Sequence, residues 1–592
     1  MKRTPPGFAA LAVAIVASGF AWTRVCAEEP PTAVSEPTSA PATAGDQPGQ
    51  KDLDDAIEAK LSARTLDDYG RVLELCKKAI DKGLDAEGRK FADELYTGTL
   101  VDRAGMLVDV IYDSAGRDPQ WPRLRAFAMR DLEEIVGRDP KLGQAHLMIA
   151  RLEALPQGNA ERAETAARTA LELLGDDQLQ KARAHVVLAG IADEAAERRE
   201  HFDAAVELAP RDVEVRRARG LFRLVEDEFE GAREDLEAAV AEAPDDAALH
   251  EALGMACAMS EKLPEARRAF DRAIELAPRS VGPLLQRSRL LAVEGELAES
   301  LADLERAVEL APDDPGARLL RARIRLQADD EQGALADVES VLREAPDNPA
   351  ALEMRGLMAA GRQDFAAAIR DFRRLVSKRP DDPALLGQLG LLYLAANQPR
   401  KAIERFTRAI EADDEHFASR RGRSDAQISI GNHEEALADL EVALTLKPDD
   451  TGVLNNLAWL LATSPDDELR DGARAIELAT KACEATEWRQ AHIISTLAAG
   501  YAEQGDFDNA KKYSRKAVET GGVDEEITQQ LEGELESYEK GKPWRERQEA
   551  EDAPLDERPG DTVGRDEGPD RADAAEVGPD GQRKPRRPFD DE

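Results

Sequence analysis

Seven histidines and the cysteines beyond the first thirty residues are the side chains best suited to hold a metal or attack a substrate. His146, His185, His201, His250, His416, His433 and His492 stand singly along the chain. The two histidines four residues apart, flanking a glutamate, that a helical zinc site uses are therefore missing. No Cys-x-x-Cys, Gly-x-x-x-x-Gly-Lys or Gly-x-Ser-x-Gly occurs. Acidic doublets such as Asp449-Asp450 and Asp466-Asp467 lack the alternating ligands and central glycine of a calcium loop. They fall between apolar runs, where aspartate caps the next helix or favours a turn. With 119 carboxylates in the chain, some must lie side by side by chance, and none is assigned catalysis. The expectation is a protein with no enzymatic activity, no metal and no cofactor.

The chain carries a period instead. Pro210, Pro244, Pro278, Pro312, Pro346 and Pro380 recur every 34 residues, and Pro448 follows after two more periods, with Asp414 on the missing beat. The first five each follow an alanine and close an apolar helical run such as "FDRAIELAP". A single compact core gives no reason for such recurrence, whereas stacked helical hairpins do. Each hairpin is too small to bury its own apolar face and uses its neighbour's.

Composition agrees. Charged residues make up 33% and aromatics 4%, the balance of a helical repeat protein. The formal charge of −40 disfavours nucleic acid and anionic lipid as partners. Residues 1–27 read as a signal peptide: Lys2 and Arg3, an apolar stretch from Phe8 to Trp22, then Val25-Cys26-Ala27 as a small-residue cleavage site. Export to the periplasm or medium is expected. The alternatives are an N-terminal membrane anchor or lipidation at Cys26, although Thr23-Arg24-Val25 is a poor lipid-attachment context. The remaining Cys76, Cys257 and Cys483 sit on apolar stripes and read as small buried hydrophobes.

Residues 28–50 read as a disordered linker rich in Pro, Ala and Thr. Residues 51–140 are helical but loosely periodic, and an enzyme hidden there would need a catalytic constellation that the sequence lacks. Two degenerate repeats span 141–210 and nine repeats span 211–520, the eighth with five extra residues within Ser464–Asp471. A capping helix is expected at 521–541 and a disordered acidic tail at 542–592.

The 34-residue pattern resembles the tetratricopeptide repeat, a helix–turn–helix unit. Position 8 is Gly220, Gly254, Ser288, Ala322, Gly356, Gly390 and Ser424; position 20 is Ala232, Ala266, Ser300, Ala334, Ala368, Ala402 and Ala436. Position 24 is Leu236, Phe270, Leu304, Val338, Phe372, Phe406 and Leu440. Small side chains at 8 and 20 let two helices approach, while the bulky one fills the space beside them. The resemblance implies an all-α fold, a right-handed superhelical solenoid of the kind found in exported bacterial members of the family.

Comparing repeats with one another exposes a charge pattern. Position 7, commonly leucine in this family, is Arg219, Arg287, Arg321, Arg355 and Arg423. Position 23 is read as aspartate in six repeats: Asp235, Asp271, Asp303, Asp337, Asp371 and Asp439. The sixth repeat departs at both places, with Leu389 and Arg405, which favours pairing within a repeat. Five bridges are expected, each joining the two helices of one hairpin, with Asp271 left over opposite Leu253.

The resemblance further implies a concave groove lined by positions 2, 5, 9, 12 and 13 of each first helix, cradling a peptide. Carried over by position, its residues are Arg217, Leu221, Met255, Arg289, Arg323, Leu357, Leu391, Arg421 and Trp459, with Trp459 beside the enlarged loop as the preferred anchor point. No position 9 residue is asparagine and Glu251 faces the same groove, so the family's clamp for a terminal carboxylate is not expected. An aliphatic groove with basic points suits a peptide with apolar anchors and acidic flanks. The expected function is a scaffold or adaptor that binds another protein. The alternative is a structural or self-associating spacer subunit of an envelope complex without a peptide ligand.

Overall fold

The computed structural model describes residues 48–114, 120–521 and 525–546. The expected signal peptide, most of the linker and the tail beyond Glu546 lie outside the described residues. Among the described residues the secondary structure is helical throughout, with no strand. The chain divides into two bodies, residues 1–328 and 329–592. Each is an all-α repeat solenoid, a run of antiparallel helix pairs.

In the first body the pairing begins well before the regular period. Gln50–Ser62 pairs with Leu66–Lys82, the long helix Ala86–Ser114 with Trp121–Arg138, Gly143–Glu153 with Ala160–Leu173, and Gln178–Ile191 with Ala195–Leu208. The region 51–140, expected to be irregular, is thus two further hairpins. Their unequal lengths hide the period. One shared core, from Ala56 and Val72 through Leu132 and Ile135 to Leu188, joins these helices.

Local chemistry sets each boundary within the repeats. The helices Val213–Val225, Ala247–Met259, Pro315–Gln327, Pro349–Gly361, Pro383–Ala395 and Thr451–Thr463 each follow an Asp or Asn whose side chain accepts from a backbone N–H in the first turn. The turn to the second helix passes through a left-handed residue at position 15, Glu261, Gly295, Gln363, Asn397 or Gly431. The proline at position 32 then follows the end of the second helix.

The close approach expected at positions 8 and 24 is tight. A Cβ added at Gly254 would come within 2.5 Å of the Phe270 ring; at Gly356 it would come within 2.8 Å of Phe372 and at Gly390 within 2.6 Å of Phe406. In the regular repeats phenylalanine at position 24 goes with glycine at position 8, whereas the last degenerate repeat has Val186 opposite Phe202. Ser300, the one serine at position 20, donates to the Ser288 carbonyl at 2.7 Å and so buries its hydroxyl satisfied.

The position 7 arginines bind acids on the facing helix in a bidentate fork. Arg219 reaches both Oδ atoms of Asp235 at 2.7 Å. Arg287 reaches Asp303 at 2.8 and 2.6 Å, Arg355 reaches Asp371 at 2.8 and 2.6 Å, and Arg423 reaches Asp439 at 2.7 Å twice. All four aspartates are buried. Arg321 and Asp337 fall on either side of the division between the bodies.

Three of these four arginines also reach backward. The remaining Nη1 of Arg219 donates to Asp203 at 2.7 Å, that of Arg287 to Asp271 at 2.6 Å and that of Arg423 to Thr407 at 3.0 Å. Asp271 therefore has an arginine, and its assignment needs correcting: it stands at position 25, position 23 of that repeat being Ala269. One guanidinium thus ties its own hairpin together and fastens it to the preceding one.

Two relatives of this bridge escaped the sequence reading. Arg103 forks onto buried Asp131 at 2.8 and 2.7 Å in the long N-terminal hairpin, where the spacing is 28 rather than 16. In the last degenerate repeat the same two positions are His185 and His201, whose Nδ1 atoms lie 3.1 Å apart. These two histidines, read as solitary, are neighbours across a hairpin. Burial pulls both pKa values down, so the neutral pair shares one hydrogen bond.

Asp235 is the sharpest test of the bridges, because Arg216 at 2.5 Å and Arg223 at 2.8 Å converge on it together with Arg219. Burial alone would raise its pKa, but these guanidiniums outweigh burial and hold it below the usual carboxylate range. Asp235→Ala should lower the opening free energy of helix Phe229–Glu242 by about 3–5 kcal/mol, read by hydrogen exchange, since it removes the buried carboxylate on which three guanidiniums converge. Gly254→Ala should also destabilise. Overpacking against the buried Phe270 ring costs about 1–3 kcal/mol, against a helix-propensity gain of about 0.5–1 kcal/mol. Thermal melts of the variant check the sign.

Candidate protein-binding site

The groove positions carry residues of three kinds. Leu221 and Met255 are half-buried against Leu224, Leu236 and Leu249, so repeat-to-repeat packing claims them. Leu357 and Leu391 are 52% and 42% exposed, large apolar side chains facing water. Val225 and Val293 at position 13 are exposed as well, Val293 by 62%. These two valines were passed over because positions 5 and 9 alone were read residue by residue.

The basic residues divide in the same way. Arg217 is held among Asp246, Glu214 and Glu251; burial pulls its pKa down and the three carboxylates push it back. Arg421 lies 3.8 Å from Asp450. Asp425 on the same face is pushed up by burial, against the opposing pull of Arg421 and of the Asn456 amide that donates to it at 2.7 Å.

Arg289 and Arg323 differ from the rest. Nε and Nη1 of Arg289 are buried with no hydrogen-bond partner among the described residues. Burial, then the like charge of Arg323, pulls its pKa down. A guanidinium stays protonated even so, and each unmet buried donor costs about 1–3 kcal/mol. Arg323 is exposed and has no carboxylate partner among the described residues.

Trp459 is not the open anchor expected of it. Its indole N–H donates to Glu546 of the same chain. The tail, expected to lose order from residue 542, stays ordered against the repeats through Glu546: Trp544 packs in the aromatic cluster of Tyr501, Phe507, Tyr513 and Tyr538, and Arg545 pairs with Glu503 at 2.5 Å. Proline and charge in "KPWRE" mask this contact, which joins residues 87 apart.

The free thiols of Cys76, Cys257 and Cys483 are buried, which pushes each to about 11. Among the described residues no three His, Cys, Asp or Glu side chains converge on a metal position, and no helix is long and apolar enough to cross a membrane. What remains is two unmet cations on the groove positions of the first body and, in the second, exposed leucines at those positions.

Glu251 supplies a pH test of this face. Burial pushes its carboxyl to about 7, against the pull of Arg217, and Gly282 leaves the space that its carboxylate fills. A raised folded pKa means the native state binds more protons, so stability is full below about 4.5 and falls as pH rises through 7. Glu251→Gln should flatten that fall, measured as denaturant midpoints at pH 5 and pH 8.

Two family models match, both described as tetratricopeptide repeat. One covers residues 218–281, 285–349, 332–383 and 388–451, and the other residues 496–520. Neither covers 452–495, which hold the enlarged loop. No curated protein matches the sequence. Among solved structures, a tetratricopeptide repeat protein from Parabacteroides merdae is 19% identical over 41% of this chain and 96% of its own, with a TM-score of 0.33. Pseudomonas aeruginosa pilF is 23% identical over 37% of this chain and 98% of its own, at 0.31. The Cut9–Hcn1 hetero-tetramer of the APC/C is 14% identical over 70% of this chain and 96% of the matched chain, at 0.32. With repeats matched on both sides of the insertion, residues 218–451 and 496–520 belong to the tetratricopeptide repeat family.

Proposed function

We propose that this protein is a non-enzymatic scaffold that works outside the cytoplasm and binds a partner's acidic segment on the groove positions of its first body. The observation that carries the reading is Arg289, whose buried donors meet no acceptor among the described residues, beside Arg323 with the same charge and, among those residues, no counter-ion. A folded protein keeps such a cost where a ligand removes it. Carboxylates of an extended peptide match two guanidiniums in charge and in fork geometry. Val293 at position 13 adds an exposed apolar contact beside them. Location outside the cytoplasm is supported by the basic, apolar and small-residue succession of residues 1–27.

The reading makes binding and stability move in opposite directions. Arg289→Met keeps the length of the side chain and removes the unmet donors, so unfolding free energy should rise by about 1 kcal/mol. The double variant Arg289→Met, Arg323→Met should bind a fluorescein-labelled peptide of alternating leucine and glutamate at least ten-fold more weakly than the wild-type chain, by anisotropy. Arg268→Met, a 73% exposed arginine on a second helix, should leave binding unchanged. Equal affinity of all three chains, or no binding by the wild type, contradicts the reading.

A further inference from the structure

The insertion in the eighth repeat changes how one helix ends. In neighbouring repeats the left-handed residue at position 15 donates its N–H to the position 12 carbonyl: Gln363 to Ala360 at 2.9 Å, Asn397 to Leu394 at 3.0 Å, Gly431 to Ile428 at 3.0 Å. The residue at position 16 donates to position 11, as Asp364 does to Ala359 at 2.9 Å. The eighth repeat keeps the second bond, since Asp471 donates to Leu461 at 2.9 Å across the enlarged loop. It loses the first. The Ala462 carbonyl of helix Thr451–Thr463 therefore stands open beside the Thr463 carbonyl, which like position 13 of the neighbouring repeats takes no donor from its own turn, at the negative end of the helix dipole.

The chain's own residues Trp544–Glu546 fill that opening. Arg545 Nη1 donates to the Ala462 carbonyl at 3.3 Å and the Glu546 N–H to the Thr463 carbonyl at 3.0 Å. The Glu546 carboxylate takes the Trp459 indole N–H, and Arg545 pairs with Glu503, itself held by Arg470 at 2.8 Å. Trp544 enters the aromatic cluster around Tyr538. Two backbone acceptors, an indole donor, a carboxylate and an aromatic recess thus read three successive side chains and one backbone N–H of a single segment. This is how a peptide site recognises its ligand.

We propose that the enlarged loop has made a docking site for an extended aromatic–basic–acidic segment, and that Trp544–Glu546 is its displaceable internal ligand, closing the groove position at Trp459 until a segment of the same chemistry replaces it. The site lies within residues 329–592 and does not depend on the acidic-partner reading of Arg289 and Arg323.

Exchange in trans tests it. A fluorescein-labelled peptide of residues 540–551 is titrated by anisotropy into the full chain and into the full-length variant Trp544→Ala, Arg545→Ala. The variant should bind at least ten-fold more tightly than the wild type, and adding Trp459→Ala should abolish the gain. No binding to the variant, or equal affinity for both chains, would mean a permanent structural cap and overturns the proposal. Hydrogen exchange of the wild-type chain keeps the idea testable if the variant misfolds. The Glu546 amide should exchange at least a hundred-fold faster than amides within Thr451–Thr463. Equal protection overturns the proposal as well.

Discussion

A stack of hairpins lives by one constraint: every charge drawn between two helices must meet its opposite there. Leucine at position 7 would avoid the problem. Arginine at that position buries a guanidinium, and the chain answers with aspartate at position 23, then spends the third nitrogen on the preceding hairpin. Breaking such a pair strands an ion, so the register of each hairpin on the last is fixed by charge as well as by shape. Shape acts beside it, through the glycines Gly254, Gly356 and Gly390 at position 8 against Phe270, Phe372 and Phe406 at position 24.

Against that background the exceptions acquire meaning. His185 and His201 show that the two positions can be met by a neutral pair when the ions are absent. Arg217 and Arg421 sit among carboxylates on the groove positions. Arg289 and Arg323 do not. In a chain of net charge −40, with acids in large excess, two cations without a partner among the described residues are not a shortage of counter-ions. Their isolation is placed by the repeat, on the side where the resemblance sets the ligand.

Most of the architecture was legible before any coordinates, because contacts between hairpin helices recur at a fixed separation. The pairing of Arg219 with Asp235 or Arg423 with Asp439 is a spacing of 16 residues repeated in register. Contacts outside that spacing were not legible. Arg103 and Asp131 pair at 28 because their helices are longer, and Asp271 was placed two residues from its true position because only its type was matched. Trp459 is expected from the sequence to be an open anchor point, but its partner lies 87 residues away in a segment whose composition reads as unstructured. That contact uses a carbonyl, Ala462, that the insertion leaves without its usual donor, which no periodicity describes.

The most direct measurement of the central claim is site-specific photocrosslinking in the native cell. A photoreactive residue is placed at Val293, exposed at position 13 near the unmet arginines, and for comparison at Arg268 on a second helix. The account predicts one discrete protein adduct from position 293, lost when Arg289 and Arg323 are both replaced by methionine, and none from position 268. Equal labelling from both positions, or an adduct indifferent to the two arginines, would contradict it.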